Sequence, residues 1–214
     1  MAGNKIKKRA EVIYKCLRNR YPAGKTVLKY STPVQMLVAT VLSAQTTDKK
    51  VNQITQDEGL FKKYRTVNDF ADAKLKTFEK EIRPLGFYKQ KAKNIISAAR
   101  VIRRDFGGKI PKNIDKLILL PGVGRKTANI VLNHVYNIAE GIAVDTHVRQ
   151  VSRRLGFTQE NNPDKIEQDL MDIFPKKCWR YVNYAMVDYN REVSKNRIDK
   201  DALLKQICPQ AFKN

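Results

Sequence analysis

Leu117-Ile118-Leu119-Leu120-Pro121-Gly122-Val123-Gly124-Arg125-Lys126-Thr127-Ala128 is an apolar run, a Pro-Gly-x-Gly turn and the start of a predicted helix from about Arg125 to Tyr136. Two glycines let backbone N–H groups approach a ligand closely, and a helix N-terminus adds partial positive charge. This is an anion-binding geometry, and a DNA phosphate would fit it. A tight helical hairpin whose glycines only turn the chain would use the same residues. Arg125 and Lys126 fall in the first turn. The helix end, the neighbouring cation and partial burial all disfavour the ammonium form of Lys126 and push it toward the neutral amine that a nucleophile requires. For any one lysine among 42 basic residues, a solvated charge or a phosphate contact is the alternative.

A second stretch, Ile142-Ala143-Val144-Asp145-Thr146-His147-Val148, delivers one carboxylate from an apolar run to a helix start. Asp145 can cap that helix, act as a catalytic carboxylate, or do both. Elsewhere apolar residues recur at three and four rather than at two. Ile6, Ala10, Ile13 and Leu17 make one stripe, closed by Pro22 and Gly24. Thr32-Pro33 is an N-cap and first-turn pair; the run Val34 to Ala44 behind it is apolar nearly all round, which predicts a buried helix ending near Gln45. Ala92, Ile95, Ala99, Ile102 and Phe106 carry another helix, stopped by Gly107 and Gly108, and Asn162-Pro163 opens one striped with Ile166, Leu170 and Phe174. Sustained alternation and Asn-Gly or Asp-Gly hairpin turns are missing. The fold class is therefore read as all-α, and 214 residues of helix exceed one compact bundle, which suggests two abutting helical lobes.

Lys and Arg number 42 against 21 Asp and Glu, a net charge of +21, with 42% hydrophobic residues. That apolar content supports one large or two small cores and excludes compositional disorder. No run approaches the roughly 18 apolar residues of a membrane span. Met1 to Ala10 carries Lys5, Lys7, Lys8 and Arg9 with no apolar segment behind them, so a secretory signal is not expected either. The chain reads as soluble and intracellular. Its charge selects a polyanionic partner, nucleic acid ahead of anionic lipid. Cys16, Cys178 and Cys208 are odd in number and lack C-x-x-C spacing, so reduced, mostly buried thiols are expected rather than a disulfide framework or a four-thiolate metal site.

In LPGVGRKTAN and IAVDTHV the chain resembles the helix-hairpin-helix (HhH-GPD) DNA glycosylase superfamily, in its endonuclease III branch: these are that branch's two signature segments, in order and at the expected separation. Upstream, Leu42-Ser43-Ala44-Gln45-Thr46-Thr47-Asp48 resembles its LSAQ-x-TD segment, and Leu85-Gly86-Phe87-Tyr88 with Lys91-Ala92 and Asn94 resembles its next loop and helix. The likeness covers roughly residues 5 to 193.

The resemblance implies a partner, damaged double-stranded DNA, from which a pyrimidine is extruded before it is attacked. Lys126 would attack C1′ and displace the base, Asp145 would stabilise the charge developing on the sugar and assist proton transfer, and the resulting imine would allow β-elimination on the 3′ side. Gln45 would plug the gap left by the base and Phe87 would wedge between base steps. Pro121, Gly122, Val123, Gly124 and Arg125 would form the DNA-binding hairpin, with a monovalent cation bridging its backbone to a phosphate. The implied architecture is a six-helix barrel lobe over residues 24–136, with residues 1–23 pairing with a C-terminal lobe over 137–214 and the active site in the cleft between lobes. Implied too are a monomer and a location in the cytoplasm and nucleoid, or in the nucleus of a eukaryote.

The sequence departs from the family in three places. Most endonuclease III relatives hold a four-iron, four-sulfur cluster on cysteines spaced C-x6-C-x2-C-x5-C; here those positions read Ser194, Asp201, Leu204 and Gln210, with Cys208 out of register. The cluster is expected to be absent, with no other cofactor required, and Leu203, Leu204 and Ile207 predict a short packed helix within Ile198 to Cys208. A glutamate two residues before Leu-Pro-Gly is replaced by Ile118, either a change in lesion recognition or a core substitution. A His-Gly pair is replaced by Tyr189-Asn190. Two rival functions keep the fold. A monofunctional uracil- or mismatch-type glycosylase would activate water with Asp145, but such relatives commonly carry Tyr or Ser where this chain has Lys126. A non-catalytic helix-hairpin-helix module would need only the phosphate loop and the basic surface.

Overall fold

In the computed structural model, residues 2–22, 26–196 and 199–212 are described. In chain order they form α1 (Ala2–Arg20), α2 (Pro33–Leu42), α3 (Asp48–Asn52), α4 (Leu60–Lys63), α5 (Val67–Ala71), α6 (Leu75–Glu81), α7 (Tyr88–Asp105), α8 (Ile114–Leu117), α9 (Arg125–Val131), α10 (Thr146–Arg154), α11 (Pro163–Ile173), α12 (Lys176–Asn196) and α13 (Lys200–Ile207). No strand occurs among the described residues, so the fold class is all-α as the apolar spacing implied. The chain divides into two compact units, Thr26–Ile138 and Met1–Lys25 with Ala139–Asn214.

In the central unit, α2 is the axis of the core. Thr32 caps it, its hydroxyl accepting from Gln35 N at 3.3 Å, and Pro33 occupies the first turn, where a missing N–H costs nothing. Every residue from Val34 to Leu42 is buried. Gln35 is tolerated there because its polar atoms are matched: Nε2 donates to the carbonyls of Phe61 and Tyr64, and Oε1 accepts from Ser31 N. Ala92, Ile95, Ala99 and Ile102 of α7 line the same core. α7 stops where Gly107 takes a positive φ and Gly108 N donates to Ile102 O at 3.0 Å. α9 runs on into a π-helical turn, Leu132–Tyr136, so the predicted Arg125–Tyr136 helix is one α segment and one wider turn.

In the other unit, Ala10, Ile13 and Leu17 of α1 are buried among residues of α10, α11 and α12. Asn162 caps α11, accepting from Asp164 N at 2.9 Å. Leu203 and Leu204 of α13 are buried, giving the short packed helix predicted in this segment; Gly24, Arg197 and Ile198 lie outside the described residues. The three cysteines are not all reduced thiols, contrary to the expectation from their spacing. Cys16 and Cys208 form a disulfide with Cα atoms 5.6 Å apart, and only Cys178 is a free, buried thiol, which burial pushes above its ordinary pKa. The partners are 192 residues apart, so their meeting depends on α1 packing against the C-terminal segment, which local cysteine spacing does not encode. No helix among the described residues is long and apolar enough to cross a membrane.

Candidate active site

The hairpin is α8, the turn 118–124 and α9. Asn113 caps α8, accepting from Lys116 N at 3.1 Å, and buried Leu117, Leu120 and Val123 pin the turn to the core. Leu120 N donates to Leu117 O, and Val123 N to Leu120 O. Gly122 has φ +79°, and a Cβ there would lie 2.7 Å from Asn94 Nδ2 and 2.8 Å from Asn94 Cβ. Glycine is therefore required twice at this position, by backbone conformation and by the close approach of α7. Gly124 is the N-cap of α9, with open space around it, and Pro121 is half-buried.

Arg125 and Lys126 are the first two residues of α9. Lys126 is exposed, so the partial burial expected for it is not found. The reason is geometric: the buried side of this short helix is occupied by Ala128, Asn129 and Val131. Ile118 is 38% exposed and Leu119 70%, so Ile118 is a surface side chain and not a core substitution.

Gln45 and Phe87 lie in the same unit as Lys126, in the turns that follow α2 and precede α7. Both are exposed, Phe87 by 68%, and both have left-handed backbones, with φ of 54° and 46°. Such conformations cost non-glycine residues about 1 kcal/mol or more each. Behind the two turns is a group whose role the motif reading did not identify. Lys91 is 5% exposed, and its Nζ donates to Leu42 O, Thr46 Oγ1 and Leu85 O at 2.8–2.9 Å. Its place on α7, four residues before Ile95 on the buried face, was the available signal.

Asp145 belongs to the other unit. Buried Ile142, Ala143 and Val144 lead into it, and it caps α10, Oδ1 accepting from Val148 N at 2.9 Å. α12 secures both flanks: Asn183 Nδ2 donates to Ala143 O at 2.7 Å, and Asn190 Nδ2 lies 2.8 Å from His147 Nδ1 and donates to Gln150 Oε1 at 3.1 Å. No local sequence signal marks Asn183 and Asn190 for this support. Tyr189 and Asn190 are both buried, and the Arg154 guanidinium stacks over Tyr189 at 5.2 Å, so this departure from the family lies within the fold's interior. Among the basic residues near the chain ends, Lys5, Lys176, Lys177, Arg191 and Lys195 are exposed.

The site thus consists of a helical hairpin with a lysine at the second position of α9 and, in the other unit, a helix-capping aspartate that ends an apolar run. Residues 38–176 match the HhH-GPD superfamily base excision DNA repair proteins, and the chain belongs to that family. Within it, the chain is 42% identical over 207 residues to Endonuclease III of Synechocystis sp., covering 96% of this chain and 94% of that protein. Two solved structures, a non-covalent Endonuclease III–DNA complex and a trapped Endonuclease III–DNA covalent intermediate, each superpose with a TM-score of 0.85 at 35% identity over 96% of both chains.

Proposed function

We propose that this chain is a DNA glycosylase with AP-lyase activity on damaged, oxidised pyrimidines in duplex DNA, acting through a lysine imine. The observation that carries the reading is Lys126, a lysine at the start of the helix that the hairpin opens. The Nζ lone pair of Lys126 attacks C1′ of the extruded nucleotide as the N-glycosidic bond breaks, and the base leaves with its bonding pair and takes up a proton. The C1′–O4′ bond then breaks, O4′ keeping the bonding pair and taking one proton from the attacking nitrogen, and the C1′–N bond becomes a protonated imine. The imine acidifies C2′–H; removal of that proton expels the 3′ phosphate and cuts the strand. Asp145, as carboxylate, stabilises the positive charge on the sugar and relays protons. Gln45 and Phe87 occupy the vacated stack, and the N–H groups of Gly122 and Gly124 hold a phosphate, that of Val123 being used within the turn by Leu120 O. A monovalent cation there would take backbone carbonyls as its ligands; the open space at Gly124 suits such an approach.

The proposal includes no iron–sulfur cluster. Ser194, Leu204 and Gln210 supply no thiolate at the aligned positions, and the nearby Cys208 is tied to Cys16. The donor set does not fit a four-cysteine cluster. The α13 segment and the disulfide close this part of the chain. The protein acts as a monomer, with DNA affinity drawn from exposed lysines and arginines, each phosphate contact lowering log K by about 0.9 per tenfold rise in salt.

Borohydride trapping on duplexes bearing thymine glycol, dihydrouracil, an abasic site or uracil tests this reading. A covalent adduct formed by the parent and lost in Lys126→Gln is the expected result. Salt-sensitive binding with no adduct on any lesion would replace it with the non-catalytic module, and uracil release without an adduct would replace it with the monofunctional enzyme.

A further inference from the structure

Lys91 is the one buried lysine or arginine among the described residues. Taking an ammonium out of water is costly, and burial pushes Lys91 below the ordinary lysine pKa. Its three N–H groups are all used, and all three acceptors are uncharged oxygens: Leu42 O at 2.8 Å, Thr46 Oγ1 at 2.9 Å and Leu85 O at 2.9 Å. The Thr46 hydroxyl donates onward to Leu85 O at 2.5 Å, closing a three-membered network. A buried leucine or methionine would fill this place with less desolvation, so the charge calls for an explanation other than packing.

The acceptors supply one. Leu42 ends α2 three residues before Gln45, Thr46 follows Gln45, and Leu85 stands two residues before Phe87. The backbone N–H of Lys91 also donates to Phe87 O at 3.0 Å. One residue thus grips both turns, whose tips are two of the three non-glycine residues with positive φ among the described residues; the third, Asn137, ends the π-helical turn after α9. Left-handed, exposed side chains hold one direction only when the backbone around them is over-determined. Three residues on from Lys91 along α7, Asn94 packs against Gly122 of the hairpin. A single helix therefore sets the Gln45 turn, the Phe87 turn and the phosphate turn in one frame.

We infer that Lys91 is a positioning residue that locks the Gln45 and Phe87 turns to each other, so that both side chains enter the DNA stack together when the base is extruded. The inference rests on the glycosylase reading and deepens it. Lys91 touches neither the sugar nor the base, and its loss affects extrusion and leaves the chemistry at Lys126 in place.

The test separates these steps in the full-length chain. Extrusion is read from the fluorescence of 2-aminopurine placed opposite an abasic analogue in a duplex, together with kcat and KM for base excision. Chemistry is read from borohydride trapping on a single-stranded oligonucleotide with a preformed abasic site, where nothing must be unstacked. Lys91→Met should lower duplex excision on the order of 10²-fold, as expected for small misplacements remote from the reacting atoms, and abolish the 2-aminopurine change, with single-strand trapping as in the parent. If circular dichroism shows Lys91→Met to be unfolded, Thr46→Val decides, because it removes one acceptor and the Thr46–Leu85 link at nearly constant volume; Thr46→Ser should restore function. Parent-like extrusion and excision in the folded variants, with both lost in Gln45→Ala and Phe87→Ala, overturns the inference alone. Equal losses on duplex and single strand overturn it too, by making Lys91 part of the general fold. If the parent neither excises nor traps, the glycosylase reading fails and the inference with it; if Gln45→Ala and Phe87→Ala are silent while Lys126→Gln is dead, the glycosylase reading stands and the inference falls.

Discussion

Lys126 and Asp145 are held in opposite ways. Lys126 is an exposed side chain on a seven-residue helix whose N-cap, Gly124, offers no side-chain bond; precision there resides in the backbone, fixed by Gly122 against Asn94. Asp145 is half-buried, caps the helix it begins, and is flanked by Ala143 and His147, each in contact with a buried asparagine of α12. In the proposed mechanism Lys126 is the nucleophile, which must travel to an atom and then form a bond, so it benefits from a long side chain on a rigid turn. In the same proposal Asp145 acts through its field and must point one way before the substrate arrives, so side-chain hydrogen bonds on both flanks are worth their ordering cost.

The strongest way to break this contrast is to remove the charge at 145 and keep the cap. Asparagine is as good an N-cap as aspartate, so Asp145→Asn should accept from Val148 N much as the parent does. Excision should fall by roughly 10²–10⁴-fold with little change in stability. Asp145→Ala should lose the same activity and also about 1 kcal/mol of stability, measured by denaturant unfolding. An active Asp145→Asn would reduce this residue to a helix cap.

The second difference is covalent. The unit that carries Asp145 is closed by Cys16–Cys208, which joins α1 to the C-terminal segment, and the unit that carries Lys126 has no such link among its described residues. Reduction, or Cys16→Ala, should cost about 2–4 kcal/mol. Thermal unfolding with and without dithiothreitol reads it: the parent should lose stability on reduction and Cys16→Ala should be insensitive. Equal sensitivity in both would place the redox effect elsewhere.

Much of this was legible from residue order. α2 and α7 follow from apolar spacing, since a helix buried on every side needs apolar residues on every side, and the Pro-Gly-x-Gly turn announces itself through residues that few other conformations tolerate. The cap role of Asp145 was open from the start because aspartate before a helix is a local signal. Long-range pairing was not legible. The disulfide, the Asn183 and Asn190 contacts and the Lys91 network each depend on which helices meet, and a single polar residue in an apolar stripe does not say whose carbonyls it will find. The exposure of Lys126 is not legible for the same reason: it depends on which side of α9 the core takes, and the core takes Ala128 and Val131.

The rigidity of the phosphate turn can be tested by crowding it. Gly122→Ala places a Cβ 2.7–3.0 Å from three Asn94 atoms at a backbone angle that alanine resists, so it should destabilise the protein by about 1–3 kcal/mol and weaken DNA binding. Asn94→Gly in the same chain should recover the steric part and leave the strain from φ. A double-mutant cycle on denaturant stability would show a coupling of about 0.5–3 kcal/mol if the contact is the cause. Strict additivity would mean that the backbone angle alone requires glycine.

The smallest effect concerns how α12, which supports Asp145, is joined to α1. Tyr21 Oη donates to Glu192 Oε2 at 2.7 Å and Arg20 donates to Oε1 at 2.9 Å. These bonds favour the carboxylate, Tyr21 contributing most, and hold Glu192 below the ordinary glutamate pKa. Because the folded value is the lower one, the stabilisation is fully present above the unfolded value, about 4.3, and disappears as pH falls through the folded value. Glu192 is near the surface and Arg20 is exposed, so solvent screens the pair and the effect stays small. Melting temperature followed from pH 6 down to pH 3 should drop more steeply in the parent than in Glu192→Gln, which keeps acceptor oxygen for Tyr21 but has no proton to gain. Parallel curves would mean that α12 is held by its apolar face alone, and that the frame around Asp145 owes nothing to charge at this end.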